Sequence, residues 1–150
     1  MKSNEKIIPA QAADIGTLAE IEFANMSRFI EPHDEWNPEF VRKSIRENLD
    51  RAWVLAGPDV SGFYCWAPDK DCAVLLSIQV REALQGKGYG TKLLNHFQGQ
   101  AEEHGFYKLG LAVHRKNRAY EWYTRHGYQY VEDDGPDCHV LIKELNSKEF

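Results

Sequence analysis

Apolar and polar positions along this chain follow two rhythms, and the changes of rhythm mark its elements. Cys72-Ala73-Val74-Leu75-Leu76-Ser77-Ile78-Gln79-Val80 is almost continuously apolar. Such a run predicts a central strand covered on both faces. Tyr89, Leu93, Phe97 and Ala101 then recur at four-residue spacing with Leu94 beside them. That predicts a helix over residues 89–103, which Gly105 can terminate. Nearer the start, Ile15, Leu18, Ala19 and Met26 fall on one stripe of a helix that Asp14 can cap. Glu22 lies on that same stripe. Pro38 suits the first turn of a further helix, with Phe40, Val41, Ile45 and Leu49 nearby.

Shorter runs complete the set. Residues 6–9, 52–56, 62–67, 109–113, 128–132 and 138–145 read as strands, and residues 117–125 as a helix. Gly57-Pro58-Asp59 and Pro68-Asp69-Lys70-Asp71 read as turns. No repeat, linker or low-complexity tract interrupts the chain, so residues 1–150 are expected to form a single α/β domain.

The segment between the apolar strand and its helix carries the candidate chemistry. It reads Gln85-Gly86-Lys87-Gly88-Tyr89-Gly90-Thr91. A glycine-rich turn at a helix start leaves backbone N–H groups without helical acceptors. Those donors, with the positive end of the helix dipole, suit phosphate oxygens. The glycine spacing is wrong for the dinucleotide fingerprint, because Thr91 stands where the third glycine belongs. It is also wrong for the nucleoside-triphosphate loop, because Gly90-Thr91-Lys92 reverses the required order.

The segment Gln85-x-x-Gly88-x-Gly90 resembles the Gln/Arg-x-x-Gly-x-Gly/Ala signature of the GNAT N-acetyltransferases, whose loop wraps the pyrophosphate of acetyl-coenzyme A. Asn117-Arg118-Ala119-Tyr120-Glu121-Trp122-Tyr123, followed by Gly127-Tyr128, is similar to that family's later Asn-x-x-Ala-x-x-Phe/Leu-Tyr-x-x-x-Gly-Phe/Tyr motif. His139-Val140-Leu141-Ile142-Lys143-Glu144-Leu145 resembles its closing strand. Two departures stand out. Glu82 replaces the proline often found after the fourth strand, and Trp122 replaces a smaller apolar residue.

The resemblance implies a GNAT fold: a mixed, mostly antiparallel central sheet flanked by helices, with strands 4 and 5 splayed. It implies that Ile78, Gln79 and Val80 run beside the pantetheine arm through their main chain. A backbone N–H near Ile78 would face the thioester oxygen and stabilise the oxyanion that forms on attack. Gln85, Gly86, Lys87, Gly88, Tyr89, Gly90 and Thr91 would surround the pyrophosphate, with the Gln85 side chain near the phosphates or bracing the turn. Asn117 would contact the cofactor arm or cap its helix. Tyr123 would act as general acid towards the departing thiolate, and a core tyrosine is the plain alternative. A protonated amine acceptor needs a base. Glu22, His114 and water relayed through carbonyls are the candidates, Glu22 first, because an unneeded carboxylate on an apolar stripe would be costly.

The activity so implied is acetyl transfer from acetyl-coenzyme A to a primary amine, a small molecule in preference to a protein. A coenzyme-A-sensing module without turnover is the rival. Composition changes this picture little. With 43% hydrophobic residues there is material for a core. A net charge of −5 argues against nonspecific nucleic-acid binding and mildly favours a cationic acceptor, although a solvated acidic surface explains it without any ligand and is the preferred reading. Cys65, Cys72 and Cys138 lack the spacing of a zinc site or a disulfide framework, so reduced thiols and no metal are expected. No apolar run approaches the ~20 residues of a membrane helix, and the opening residues lack a secretory segment. The expected location is the cytoplasm. A homodimer is left open, since dimers are frequent among similar proteins.

Overall fold

In the computed structural model, which describes residues 6–30 and 36–145, each rhythm becomes an element. Met1 to Glu5, read above for a leader, lie outside the described residues. In chain order the elements are β1 (Lys6–Pro9), α1 (Ile15–Met26), α2 (Pro38–Glu47), β2 (Ala52–Ala56), β3 (Val60–Asp69) and β4 (Cys72–Val80). They continue with α3 (Tyr89–Glu103), β5 (Lys108–His114), α4 (Ala119–Arg125), β6 (Gln129–Asp134) and β7 (Cys138–Glu144). The strands form a seven-stranded sheet in the order β1-β2-β3-β4-β5-β7-β6. The β4–β5 ladder is parallel. The β1–β2, β2–β3, β5–β7 and β6–β7 ladders are antiparallel. This is the mixed, mostly antiparallel α/β sheet that the resemblance implied.

The chain divides into two compact units. The first takes in the residues up to Trp66 together with Ser77–Phe97. Here β2 and β3 pair with Ala52 opposite Cys65 and Val54 opposite Phe63. Those inward residues pack with Ile15, Leu18, Ala19 and Ile21 of α1 and with Val41 and Ile45 of α2. Alternation sends Tyr64 and Trp66 to the other face of β3, where their rings lie 5.9 and 6.3 Å from that of Phe97 on α3. A strand that packs on both faces has no polar side to show, which is why Ser61 to Trp66 are all buried. Gly62 is required at its position: a Cβ there would sit 2.5 Å from the Gln79 carbonyl oxygen.

The second unit takes in Ala67–Leu76 and Gln98 onward. The first half of β4 pairs in parallel with β5, from Ala73↔Leu109 to Leu75↔Leu111. The antiparallel ladder of β5 with β7 runs the full length of both strands, from Lys108↔Glu144 to His114↔Cys138. Gly110 leaves room for Cys72, whose sulfur would lie 2.9 Å from an added Cβ. The paired tyrosines of α4 and the following turn, Tyr123 and Tyr128, pack edge-on at 5.8 Å.

Several expectations are corrected in detail. β3 is longer than residues 62–67, and only Lys70 and Asp71 make the turn that follows it. β4 is not covered throughout, since Leu76 is 42% exposed. Asp14 ends a 3-10 turn, and its carboxylate accepts from the Gln11 N–H at 2.9 Å, so it braces the preceding turn without capping α1. α4 starts at Ala119 because the Asn117 side chain accepts from the Ala119 N–H at 2.9 Å, which places Asn117 outside the helix. Met26 is half-buried and Asn25 is buried in the stripe beside it.

Candidate active site

The turn after β4 is tied down at its base and open at its tip. The Arg81 N–H donates to the Ser61 carbonyl at 2.9 Å, and the Arg81 side chain donates to the Val60 carbonyl at 2.6 Å. A 3-10 turn at Glu82–Leu84, closed by Leu84 N–H to the Arg81 carbonyl at 2.8 Å, takes the place of the family's usual proline. The Gln85 side-chain amide reaches back to the Val80 carbonyl at 2.9 Å. Of the two roles the resemblance allowed Gln85, the structure displays the brace.

Beyond Gln85 the backbone enters the left-handed region, with φ of +81° at Gly86 and +88° at Gly88. Residues with a Cβ avoid that region, so glycine is the natural occupant. A Cβ added at either glycine would meet no atom within 4 Å. Among the described residues, no hydrogen-bond acceptor faces the amides of Gly86, Lys87, Gly88 or Gly90. These donors are exposed or half-buried where α3 begins, and the fifteen-residue helix adds its dipole. Unpaired donors, a positive helix end and bare glycine walls together fit a diphosphate. Lys87 is exposed at the rim.

The same unit holds Glu22. Its carboxylate accepts from the Ser77 hydroxyl at 2.6 Å, a bond joining α1 to β4 across 55 positions of sequence. Ser77 in turn accepts from the Gln79 side-chain amide at 3.2 Å. The Asn25 amide donates to the Gln79 side-chain oxygen at 3.1 Å and to the Val80 carbonyl at 2.9 Å. Sequence reasoning missed Ser77 and Asn25. Asn25 had a signal, since it falls one helical turn after Glu22 on the same stripe. Ser77 had none beyond its place in an apolar strand.

Burial raises the Glu22 carboxyl above its ordinary range, and the Ser77 bond offsets part of that rise. A raised native value means that the folded state prefers the neutral acid. The associated stability is complete below the ordinary value and is lost as pH climbs through the raised one. Glu22→Gln is permanently neutral, so its melting temperature should exceed the wild type's by a few degrees above neutral pH. Thermal scans should show that gap closing as pH falls toward 4.5. A gap that ignores pH would show that Glu22 ionisation is not the source.

Tyr123 and Asn117 belong to the second unit. Tyr123 is 8% exposed, with the Trp122 ring at 5.2 Å. Burial pushes its phenol well above the usual range, so it keeps its proton at every physiological pH. His114, the second candidate base, ends β5, and its Nδ1 accepts from the Lys116 N–H at 3.1 Å. The cysteines are free. The Cys65 thiol is pushed up to about 12, chiefly by burial and further by the Glu22 charge. Burial also raises Cys72 and Cys138. Among the described residues no three His, Cys, Asp or Glu side chains gather as a metal site. Among them too, no helix is long and apolar enough to cross a membrane.

Comparison with known proteins agrees with this fold. The model of the acetyltransferase (GNAT) family matches residues 18–128, and the chain belongs to that family. Among solved structures it is similar to the PaiA N-acetyltransferase of Thermoplasma acidophilum in complex with coenzyme A. The identity is 18%, the TM-score 0.74, and the match covers 95% of this chain and 99% of that one. An acetyltransferase from Thermus thermophilus shares 24% identity at a TM-score of 0.75, covering 94% and 97%. The ribosomal-protein-S18-alanine N-acetyltransferase of Escherichia coli shares 19% at 0.73, covering 97% and 96%. Among curated proteins none matches.

Proposed function

We propose that this protein transfers the acetyl group of acetyl-coenzyme A to a primary amine, directly and with both substrates bound. The observation that carries the proposal is the run of acceptor-free amides at Gly86, Lys87, Gly88 and Gly90 where α3 begins. Those amides would hold the pyrophosphate, and the main chain of Ile78, Gln79 and Val80 would line the arm of the cofactor. The coenzyme A in the Thermoplasma acidophilum complex supports this choice of ligand. The acyl donor supplies the activated thioester, and the residues of the chain manage the protons.

Glu22 takes the proton that the ammonium form of the acceptor must lose before it attacks. A carboxyl with a raised value is suited to that exchange nearer neutral pH. Tyr123, neutral through burial, gives its proton to the departing thiolate. Direct attack is favoured over an acyl-cysteine because all three thiols are held protonated by their surroundings. A small cationic acceptor is favoured over a peptide because Glu22 is half-buried among the polar side chains of Ser77, Gln79 and Asn25. A protein amino group is the second reading, supported by the likeness to the S18-alanine enzyme.

Thiol release from acetyl-coenzyme A, measured across monoamines, polyamines, amino acids and short peptides, tests the proposal. Release should depend on a small amine. Cofactor binding with no release on any acceptor would instead make this a sensing module.

A further inference from the structure

The bonds around Glu22 all point one way, and a backbone carbonyl fixes their direction. The Val80 carbonyl can only accept, so the Asn25 atom 2.9 Å from it is the amide nitrogen. That nitrogen also donates to Gln79, so the Gln79 oxygen faces Asn25 and its nitrogen faces Ser77. The Ser77 oxygen is thereby an acceptor towards Gln79, and its single proton goes to Glu22 Oε1 at 2.6 Å. Each group polarises the next, and such chains strengthen the bond at their end.

We infer that Ser77, Gln79 and Asn25 form a one-way donor chain that positions Glu22, engaging Oε1 as an acceptor and leaving Oε2 as the oxygen that exchanges protons. The inference rests on the reading of Glu22 as the base, and names positioning residues for it. Asn25 is 8% exposed, and the end of β4 that carries Ser77 and Gln79 is pinned to Gly62 by close packing. The donor chain is therefore anchored to main chain at its far end, on the Val80 carbonyl. The titratable group facing Glu22 from β3 is Cys65, which stays a thiol through the working pH range. Arg51, held by the Trp66 carbonyl at 3.1 Å, acts on Cys65 with the opposite sign. Neither compensates for loss of the Ser77 proton.

The test needs no acceptor. Carbon-13 NMR of protein labelled at its glutamate carboxyls reads the Glu22 titration midpoint directly, with Glu22→Gln assigning the signal. Ser77→Ala removes a donor to the charged form, so the midpoint should rise by about one pH unit. Ser77→Thr should restore it. Gln79→Met should raise it by less, because only the polarisation is lost. Thermal melts on each variant confirm that it is folded. A midpoint unmoved in folded Ser77→Ala or Gln79→Met overturns the donor chain. Thiol release by Glu22→Gln is a separate arm. If that variant keeps full turnover with any amine, the base assignment fails even where the titration shifts as expected.

Discussion

Gly88→Val should weaken coenzyme A binding by about 100-fold or more, as read by calorimetry. Two physical effects act together. Valine does not settle at the φ of +88° that Gly88 adopts, so the turn must rearrange and swing its amides away. If the turn holds, a branched Cβ projects into the open space that the phosphates would use. A hydrogen bond to a charged group contributes roughly 1.5–3 kcal/mol, so loss of two gives a factor of about 100 at the least. Thermal stability should fall only modestly, because Gly88 is exposed and nothing packs on it. An unchanged affinity in a folded variant would remove the turn from the cofactor site.

Tyr123→Phe should lower turnover about 100-fold, the usual contribution of a positioned general acid, and change cofactor affinity less than twofold. The variant keeps the ring that packs against Trp122 and Tyr128, and deletes only the proton that the thiolate would take. Because burial holds the wild-type phenol neutral, its ionisation should not appear as a limb of the pH profile within the working range. Steady-state rates on whichever amine supports thiol release, with calorimetry of coenzyme A alongside, separate the two readings of this residue. Equal turnover would leave Tyr123 as a core tyrosine of α4.

The parts of the fold legible in sequence are those written as rhythm. The bounds of β4 and α3 follow from an apolar run and a four-residue period, and the structure reproduces both. The turn between them was legible because glycines at positive φ are a local requirement. Asp14 shows where local reasoning stops. It is a good capping residue placed one residue before α1, yet a preceding 3-10 turn claims its carboxylate. The hydrogen bonds of Glu22 were illegible for a different reason. They join α1 to β4 through residues 54 or 55 positions apart, and only the folded register shows that Ser77 and Gln79 face α1. Glu22 itself stood out as a carboxylate on an apolar stripe. The Ser77 bond that offsets part of its burial did not.

The acetyl transfer we propose depends on a bare main chain gripping a diphosphate. Proton–nitrogen NMR of the labelled protein, titrated with coenzyme A, tests that directly. The amides of Gly86, Lys87, Gly88 and Gly90 should show the largest shifts, downfield as they gain acceptors, and dephosphorylated pantetheine alone should leave them in place. Coenzyme A binding that leaves those four signals unmoved, or no binding at all, would contradict that dependence.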